Sequence, residues 1–486
     1  MASPTTGDYG FFAEDNWRMT RRLNVTVGLR YEYEQMPAPF SALVVTALPQ
    51  TAVLPSNKTN IGPRVGFAYD VFGSGKTVLR GGYGVFFARI LNGTIYNALV
   101  NTGSPNGQFT VTPTATAATA PSFPQIIASG SLAGAPNSVF FDHNFRAPWI
   151  NQADLTVEQD LGWNTVMSVS WLETLGRRLP NFTDLNLNPP TSVTYNIIDT
   201  TGRNLLPNGS TLTSKFYAKN TTPNCPSQRP NCAFGSLTDI FSGVNSNYSA
   251  LVAQINHRFS HNIQFNANYT WSHALDYGLN NQTATVANNL LDPQDIRQEY
   301  GNSITNIPNR LVMGGIVTAP WKYKGWLGYL LNDFEASPDL QVQSGLPYSV
   351  GTSGTLTTGF TPSGATVNAI GGGVNGSAGT FRMPGFERNG FQQPRTTVVD
   401  LRLSKRFNIH DRVKLEFLGE AFNIANHQNV TSVNTTAYTI GTVAASKTNT
   451  LSFTTQTPSF GVPNSTNNSG FSYAPRQIQL GVRGQF

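Results

Sequence analysis

Residues Leu23–Glu34 read Leu-Asn-Val-Thr-Val-Gly-Leu-Arg-Tyr-Glu-Tyr-Glu. On an extended chain Leu23, Val25, Val27, Leu29, Tyr31 and Tyr33 share one face, and Asn24, Thr26, Gly28, Arg30, Glu32 and Glu34 share the other. A period of two held over the whole stretch defines a β-strand and excludes a helix. Its length carries further information. Strands of soluble proteins run to about five or six residues, whereas a tilted strand that crosses a bilayer needs about 9–11.

The pattern recurs along the chain. Ile263, Phe265, Ala267, Tyr269 and Trp271 alternate with Gln264, Asn266, Asn268, Thr270 and Ser272. Val399, Leu401 and Leu403 alternate with Asp400, Arg402 and Ser404, and Val413, Leu415 and Phe417 with Arg412, Lys414 and Glu416. Ile478, Leu480, Val482 and Phe486 alternate with Gln477, Gln479, Arg483 and Gln485. Long strands with one apolar and one polar face suit a barrel that has lipid outside and water inside. The periodicity predicts about thirteen strands, near 9–18, 23–35, 61–72, 77–87, 151–161, 164–175, 247–259, 263–273, 307–319, 326–344, 396–407, 412–423 and 471–486.

The connections alternate in length. Short turns fall at Thr20–Arg22, Gly73–Lys76, Gly162–Asn164, Ser260–Asn262, Trp321–Gly325 and Asn408–Asp411. Between them lie long stretches rich in Gly, Ser, Thr, Asn and Pro, near 34–60, 88–148, 180–246, 274–305, 345–395 and 424–470, expected to be structureless. Short periplasmic turns and long extracellular loops are the asymmetry of outer-membrane barrels. Trp17, Tyr31, Tyr33, Tyr69, Phe87, Trp171, Trp271, Trp321 and Trp326 sit near strand ends, where interfacial girdles would place them. With the short turns periplasmic, the first strand runs inward from the outer face and the last ends in the periplasm. An odd strand count does not fit a complete bacterial barrel. The start, Met-Ala-Ser-Pro-Thr-Thr-Gly, has neither the basic nor the apolar region of a signal peptide. The expectation is one domain over 1–486, a partial barrel cut from something larger.

Composition narrows the alternatives. Charged residues make up 12% of the chain, about half the usual share, and aromatics 11%, so a hyper-charged tail, a collagen-like repeat and a long coiled coil are excluded. No stretch has the ~18 consecutive apolar residues of a transmembrane helix. The net charge of +6 comes from scattered Arg and Lys, so no nucleic-acid partner is expected.

Tyr9–Trp17 (YGFFAEDNW), followed by LNVTVGLRYE, resembles the barrel signature of TonB-dependent outer-membrane receptors of the Oar-like kind. Further similar stretches are Pro63–Phe72 with Gly75–Phe87, Leu155–Leu179 with its Gly176-Arg177-Arg178, Tyr248–His273 ending in YTWSH, Arg388-Asn389, DLRLSKRF at Asp400–Phe407 and EAFNIANHQN at Glu420–Asn429. The terminal PRQIQLGVRGQF closes on Phe486, similar to the aromatic assembly signal read by the barrel-assembly machinery. The resemblance covers nearly all strands and almost none of the long loops. It implies the C-terminal part of a 22-stranded plugged barrel in the outer membrane of a Gram-negative cell. In such a receptor external loops capture a scarce solute (siderophore, oligosaccharide or peptide), and the TonB complex supplies energy through a plug. The family's signal peptide, regulatory-like domain, TonB box and plug have no counterpart in the sequence, so contact with TonB would run through a part not present here.

Gly73-Ser-Gly-Lys-Thr77 ends like a phosphate loop, but Asp70 stands where the first glycine belongs and a strand follows, so a hairpin turn is expected. Cys225 and Cys232, the only cysteines, suit a loop disulfide in an exported protein. His257 and His261 on a strand lie too far apart to chelate a metal. Asp292, Asp295 and Glu299 lack the glycine-punctuated spacing of calcium loops and are expected to be solvated loop acids. No catalytic constellation is defensible, so the protein is expected not to be an enzyme, and no cofactor or metal is expected.

Function is then left to the lumen and outer loops. Candidate lumen-lining residues are Arg30, Glu32, Arg64, Arg80, Glu158, Gln254, Asn256, Asn266, Asn268, Asp400, Arg402, Lys414, Glu416 and Glu420. Each has an ordinary alternative as part of a salt-bridge ladder or a contact to a plug. The competing function is a passive porin-like or adhesive outer-membrane barrel, though the few charges in 88–148 argue against a porin constriction loop.

Overall fold

The computed structural model describes residues 4–108, 135–202, 205–218, 230–278, 287–356, 358–368, 373–376, 378–410, 413–454, 459–465 and 474–485. Among the described residues thirteen strands form the continuous path of one sheet, to which the short strands Ser138–Phe141 and Gly301–Asn302 also attach: β1 (Gly7–Arg18), β2 (Leu23–Gln35), β3 (Asn60–Asp70), β4 (Thr77–Phe87), β5 (Trp149–Gly162), β6 (Thr165–Asp184), β7 (Leu237–Ser260), β8 (Ile263–Asp276), β9 (Asn309–Thr318), β10 (Phe334–Gln343), β11 (Thr396–His410), β12 (Val413–Phe422) and β13 (Gln477–Gln485). Each pairs antiparallel with the next, an up-and-down meander in sequence order.

The pleat sorts the faces as the sequence dictates. One cross-strand row runs Trp17, Val25, Phe67, Gly81, Leu155, Trp171, Leu251, Trp271 from β1 to β8. Seven steps of ~4.8 Å make about 34 Å, and a strand tilt of ~40° turns this into a climb of roughly 22 Å. That is close to the ~25 Å height of a barrel's apolar band. Trp17, beside a short turn, and Trp171 and Trp271, toward the long loops, thus mark opposite interfaces. Val27, Leu29, Val65, Val157, Leu403, Leu480 and Val482 on this face are exposed. Such an apolar surface is stable only against lipid.

Short hairpin turns are built for the purpose. Asp70 accepts from the Gly73 and Gly75 N–H groups at 2.9 Å each, and both glycines have positive φ. The Gly73–Lys76 stretch is therefore a turn between β3 and β4.

Two expectations need correction. The stretch 326–344 is not one strand: Trp326–Leu331 (α1) is a short helix, and β10 begins at Phe334. The run Trp-Leu-Gly-Tyr-Leu-Leu lacks alternation, and Gly325 and Asp333 with φ of 65° and 56° bracket it.

Nor are the long loops structureless. Gly351–Ser353, Thr436–Val443, Thr448–Phe453, Thr191–Ile198 and Thr211–Phe216 form a five-stranded sheet that joins the connections after β6, β10 and β12. Val193, Tyr195, Phe216, Val350, Met383, Tyr438 and Leu451 are buried in its core. Each such side chain contributes about 1.5–3 kcal/mol on leaving water, enough to order a loop of polar composition. A second core gathers Ile95, Leu99, Val139, Phe141, Phe145, Phe182 and Ile240. It rests on the outer ends of β6 and β7, which run to 20 and 24 residues, well beyond a bilayer's need.

Among the described residues β1 pairs only with β2, and β13 only with β12. Thirteen antiparallel strands leave β1 and β13 pointing the same way, so they cannot close antiparallel against each other. Each unpaired backbone group would cost several kcal/mol in hydrocarbon, so the two edges call for pairing partners in the membrane.

Candidate functional site: the polar wall and the loop layer

Residue parity places all fourteen lumen candidates on the face opposite the exposed apolar band. The register brings some together: Gln254 lies opposite Asn268 and Asn256 opposite Asn266. Others are held in ion pairs, Arg30–Glu32 at 2.6 Å, Arg80–Glu158 at 3.7 Å and Arg402–Glu420 at 3.9 Å. Glu416 pairs at 3.2 Å with Arg406, which also reaches Glu335 at 3.3 Å. The Arg64 guanidinium stacks 4.4 Å from the Phe86 ring centroid. Lys414 lies opposite Asn408 and Gln485. The wall is thus polar but largely charge-paired.

Sequence reasoning missed Asp339, Glu335 and Arg406 on this face. Asp339 and Asp400 stand directly opposite each other, and Asp400 Oδ1 also accepts the Asn423 N–H at 2.7 Å. The alternation that would have found Asp339 was obscured by Pro338 and by the helix preceding β10.

Above the wall the loops meet in a buried polar network. Arg388 pairs with Asp276 and also donates to the carbonyls of Glu299 at 2.6 Å and Gly301 at 3.0 Å. Asn389 and Asn302 exchange side-chain-to-carbonyl hydrogen bonds at 2.7 and 3.1 Å. Arg382 pairs with Glu299 at 3.1 Å, and Lys215 with Asp292 at 2.7 Å. Asp292 and Glu299 are buried, which corrects the reading of this stretch as solvated loop acids. Burial pushes the Asp292 carboxyl up, but Lys215, the Tyr217 hydroxyl and the Gln294 N–H outweigh it and hold the group below the usual carboxylate range.

The EAFNIANHQN stretch is a turn held by its asparagines. Asn423 and Asn426 have positive φ, Asn423 donates to the His427 and Ala474 carbonyls, and Asn429 bonds both backbone groups of Thr397. His257 is occupied by Thr165 at 2.8 Å and Ser260 at 2.9 Å. Among the described residues no group of three or more His, Cys, Asp or Glu is placed to hold a metal ion. Cys232 is disulfide-bonded, while Cys225 lies outside the described residues, as does Phe486.

Asp239, on the outer extension of β7, is buried and its Oδ1 has no hydrogen-bond partner among the described residues. Burial, reinforced by the charge on Asp142, pushes its carboxyl up to about 7. The folded layer therefore keeps a proton that the unfolded chain releases near pH 4, so this group's contribution is full below about pH 4 and lost as pH rises through about 7. Urea titrations of loop protection from protease should show a lower midpoint at pH 8 than at pH 5. Asp239→Asn should remove most of that difference.

The profile of the outer membrane beta barrel domain family matches residues 2–479, and the chain belongs to that family. It is an outer-membrane protein whose wall is a transmembrane antiparallel β-barrel sheet. Among solved structures it is similar to the outer membrane transporter YddB from Escherichia coli, at 8% identity and a TM-score of 0.48, over 99% of this chain and 45% of that one. The FrpB iron transporter from Neisseria meningitidis aligns at 9% identity and a TM-score of 0.44, over 99% and 45%. The Pseudomonas aeruginosa receptor FpvA, bound to heterologous pyoverdines, aligns at 10% and 0.43, over 99% and 38%. The chain thus spans less than half the length of these proteins. No curated protein matches the sequence.

Proposed function

We propose that this chain forms the wall and outer loops of an energy-coupled outer-membrane transporter of the TonB-dependent kind, which takes up a scarce solute such as a siderophore, an oligosaccharide or a peptide without altering it chemically. The observation that carries the reading is the loop layer. Connections from several hairpins are cross-braced by buried Arg388 and Asn389 and half-buried Arg382 into one body with its own core. A preorganised layer suits solute capture, because less ordering entropy is lost on binding. The charge-paired wall below would offer neutral hydrogen-bonding groups to a plug or a passing solute. An odd remainder of strands would complete a barrel of about 22. Coupling to TonB and recognition of Phe486 by the barrel-assembly machinery belong to the same proposal.

The native protein isolated from outer membranes and placed in liposomes tests it. The transporter reading predicts no swelling in isosmotic sugar solutions. Swelling at rates that fall with sugar size would overturn it in favour of a passive pore.

A further inference from the structure

One turn on the short-turn side differs from the rest. The chain from 319 to 333 between β9 and β10 contains Trp321-Lys-Tyr-Lys-Gly-Trp-Leu-Gly-Tyr-Leu-Leu331. It is a compact, self-braced unit: the Trp321 indole donates to the Leu331 carbonyl at 2.6 Å, and Asn332 bonds both backbone groups of Tyr323 at 2.8 and 2.9 Å. At Gly328 any Cβ would lie 2.4 Å from the Tyr323 carbonyl oxygen, so the close fold admits only glycine. Yet this ordered unit leaves Trp321, Tyr323, Trp326, Leu327, Tyr329, Leu330 and Leu331 exposed.

We infer that this turn is a membrane-surface anchor that binds the anionic phospholipid headgroups of the inner leaflet of the outer membrane. Three observations choose the occupant. The unit is continuous with the lipid-facing band. Lys405, on that face by parity, donates to the Asn332 carbonyl and lies 5.3 and 4.7 Å from the ring centroids of Phe334 and Phe407, which pins the end of the turn to the outer surface of the wall. Aromatic and leucine side chains mixed with lysines are the composition of interfacial segments. Lys322 and Lys324 are exposed and pair with no acid among the described residues, and the segment holds no acid before Asp333. They supply the charge that draws anionic headgroups.

The test uses the native protein carrying an environment-sensitive NBD label at Tyr329→Cys, with Ser74→Cys in the β3–β4 turn as the aqueous reference. Vesicles contain phosphatidylcholine and phosphatidylglycerol, with bromine on the acyl chains of one lipid or the other. The label at 329 should be quenched by brominated lipid, and about twofold more strongly when phosphatidylglycerol carries the bromine. The Lys322→Gln/Lys324→Gln pair should abolish that preference while quenching persists. These lysines are exposed, and retention of heat-modifiable migration in gels shows that the variant is inserted. A label at 329 as unquenched as that at 74 would overturn the anchor. Equal quenching by both lipids in the unsubstituted protein would overturn headgroup selectivity.

Discussion

Arg388→Ala unfolds the outer loop layer while the wall stays inserted. Arg388 is 7% exposed and bridges the top of β8, through Asp276, to the carbonyls of Glu299 and Gly301. Removing one partner of a fully buried ion pair costs about 3–5 kcal/mol, and Asp276, with 29% of its side chain exposed, brings the loss here below that range. Three carbonyl oxygens, of Asp276, Glu299 and Gly301, lose a donor as well. Burial lowers the arginine's hold on its proton, and the charges of Asp276 and Glu299 oppose that shift. Lysine should rescue little, since an ammonium cannot reproduce the planar fork. Gly278→Ala should mimic part of the loss: a Cβ there falls 2.2 Å from the Arg388 guanidinium, at a residue whose φ is +61°. Protease cleavage within the loops, followed beside heat-modifiable migration of the wall, reads both parts. Loops that stay protected in Arg388→Ala would contradict the account.

The second large effect concerns faces. Val157 lies on the exposed apolar side of β5, and Ser168, across the β5–β6 hairpin, lies on the polar side opposite Glu158 and Gln254. An arginine facing lipid near the bilayer midplane costs about 2–4 kcal/mol. Val157→Arg should therefore lower wall stability in urea titrations by that order. Ser168→Arg, set beside Glu158, should leave it nearly unchanged. Equal losses would mean that parity does not decide what each side chain faces.

The wall was legible because each of its strands carries its own signal. Alternation from Leu23 to Glu34 states both the strand and its two solvents, and the same test works on Ile263–Ser272 without knowledge of the neighbours. The loop layer was not legible for the opposite reason. Its strands run from three to eight residues, and its contacts join distant parts of the chain, as Tyr195 does with the Val374 carbonyl and Asn449 with that of Thr194. No local period encodes such pairings. Composition misled in the same place, because Ser192, Thr194 and Asn196 on one face of Thr191–Ile198 masked Val193, Tyr195 and Ile197 on the other.

The residues of the polar wall face fall between these cases. Which face Arg80 and Glu158 occupy follows from parity, but their pairing does not, since the long connection 88–148 separates β4 from β5 in sequence. Arg388-Asn389 was visible only as a short matching stretch. The structure supplies its physical reason, a guanidinium and a carboxamide that tie two loop connections together.

The central claim, lipid on one face of the wall and the aqueous lumen on the other, is tested most directly by nitroxide scanning of β2 in the native membrane. Labels placed singly from Asn24 to Tyr31 are read by collision with oxygen, which concentrates in lipid, and with a water-soluble nickel chelate. The account predicts oxygen-dominated relaxation at Val25, Val27, Leu29 and Tyr31 and nickel-dominated relaxation at Asn24, Thr26, Gly28 and Arg30, alternating residue by residue. A profile without that alternation, or one dominated by nickel at every position, would contradict it.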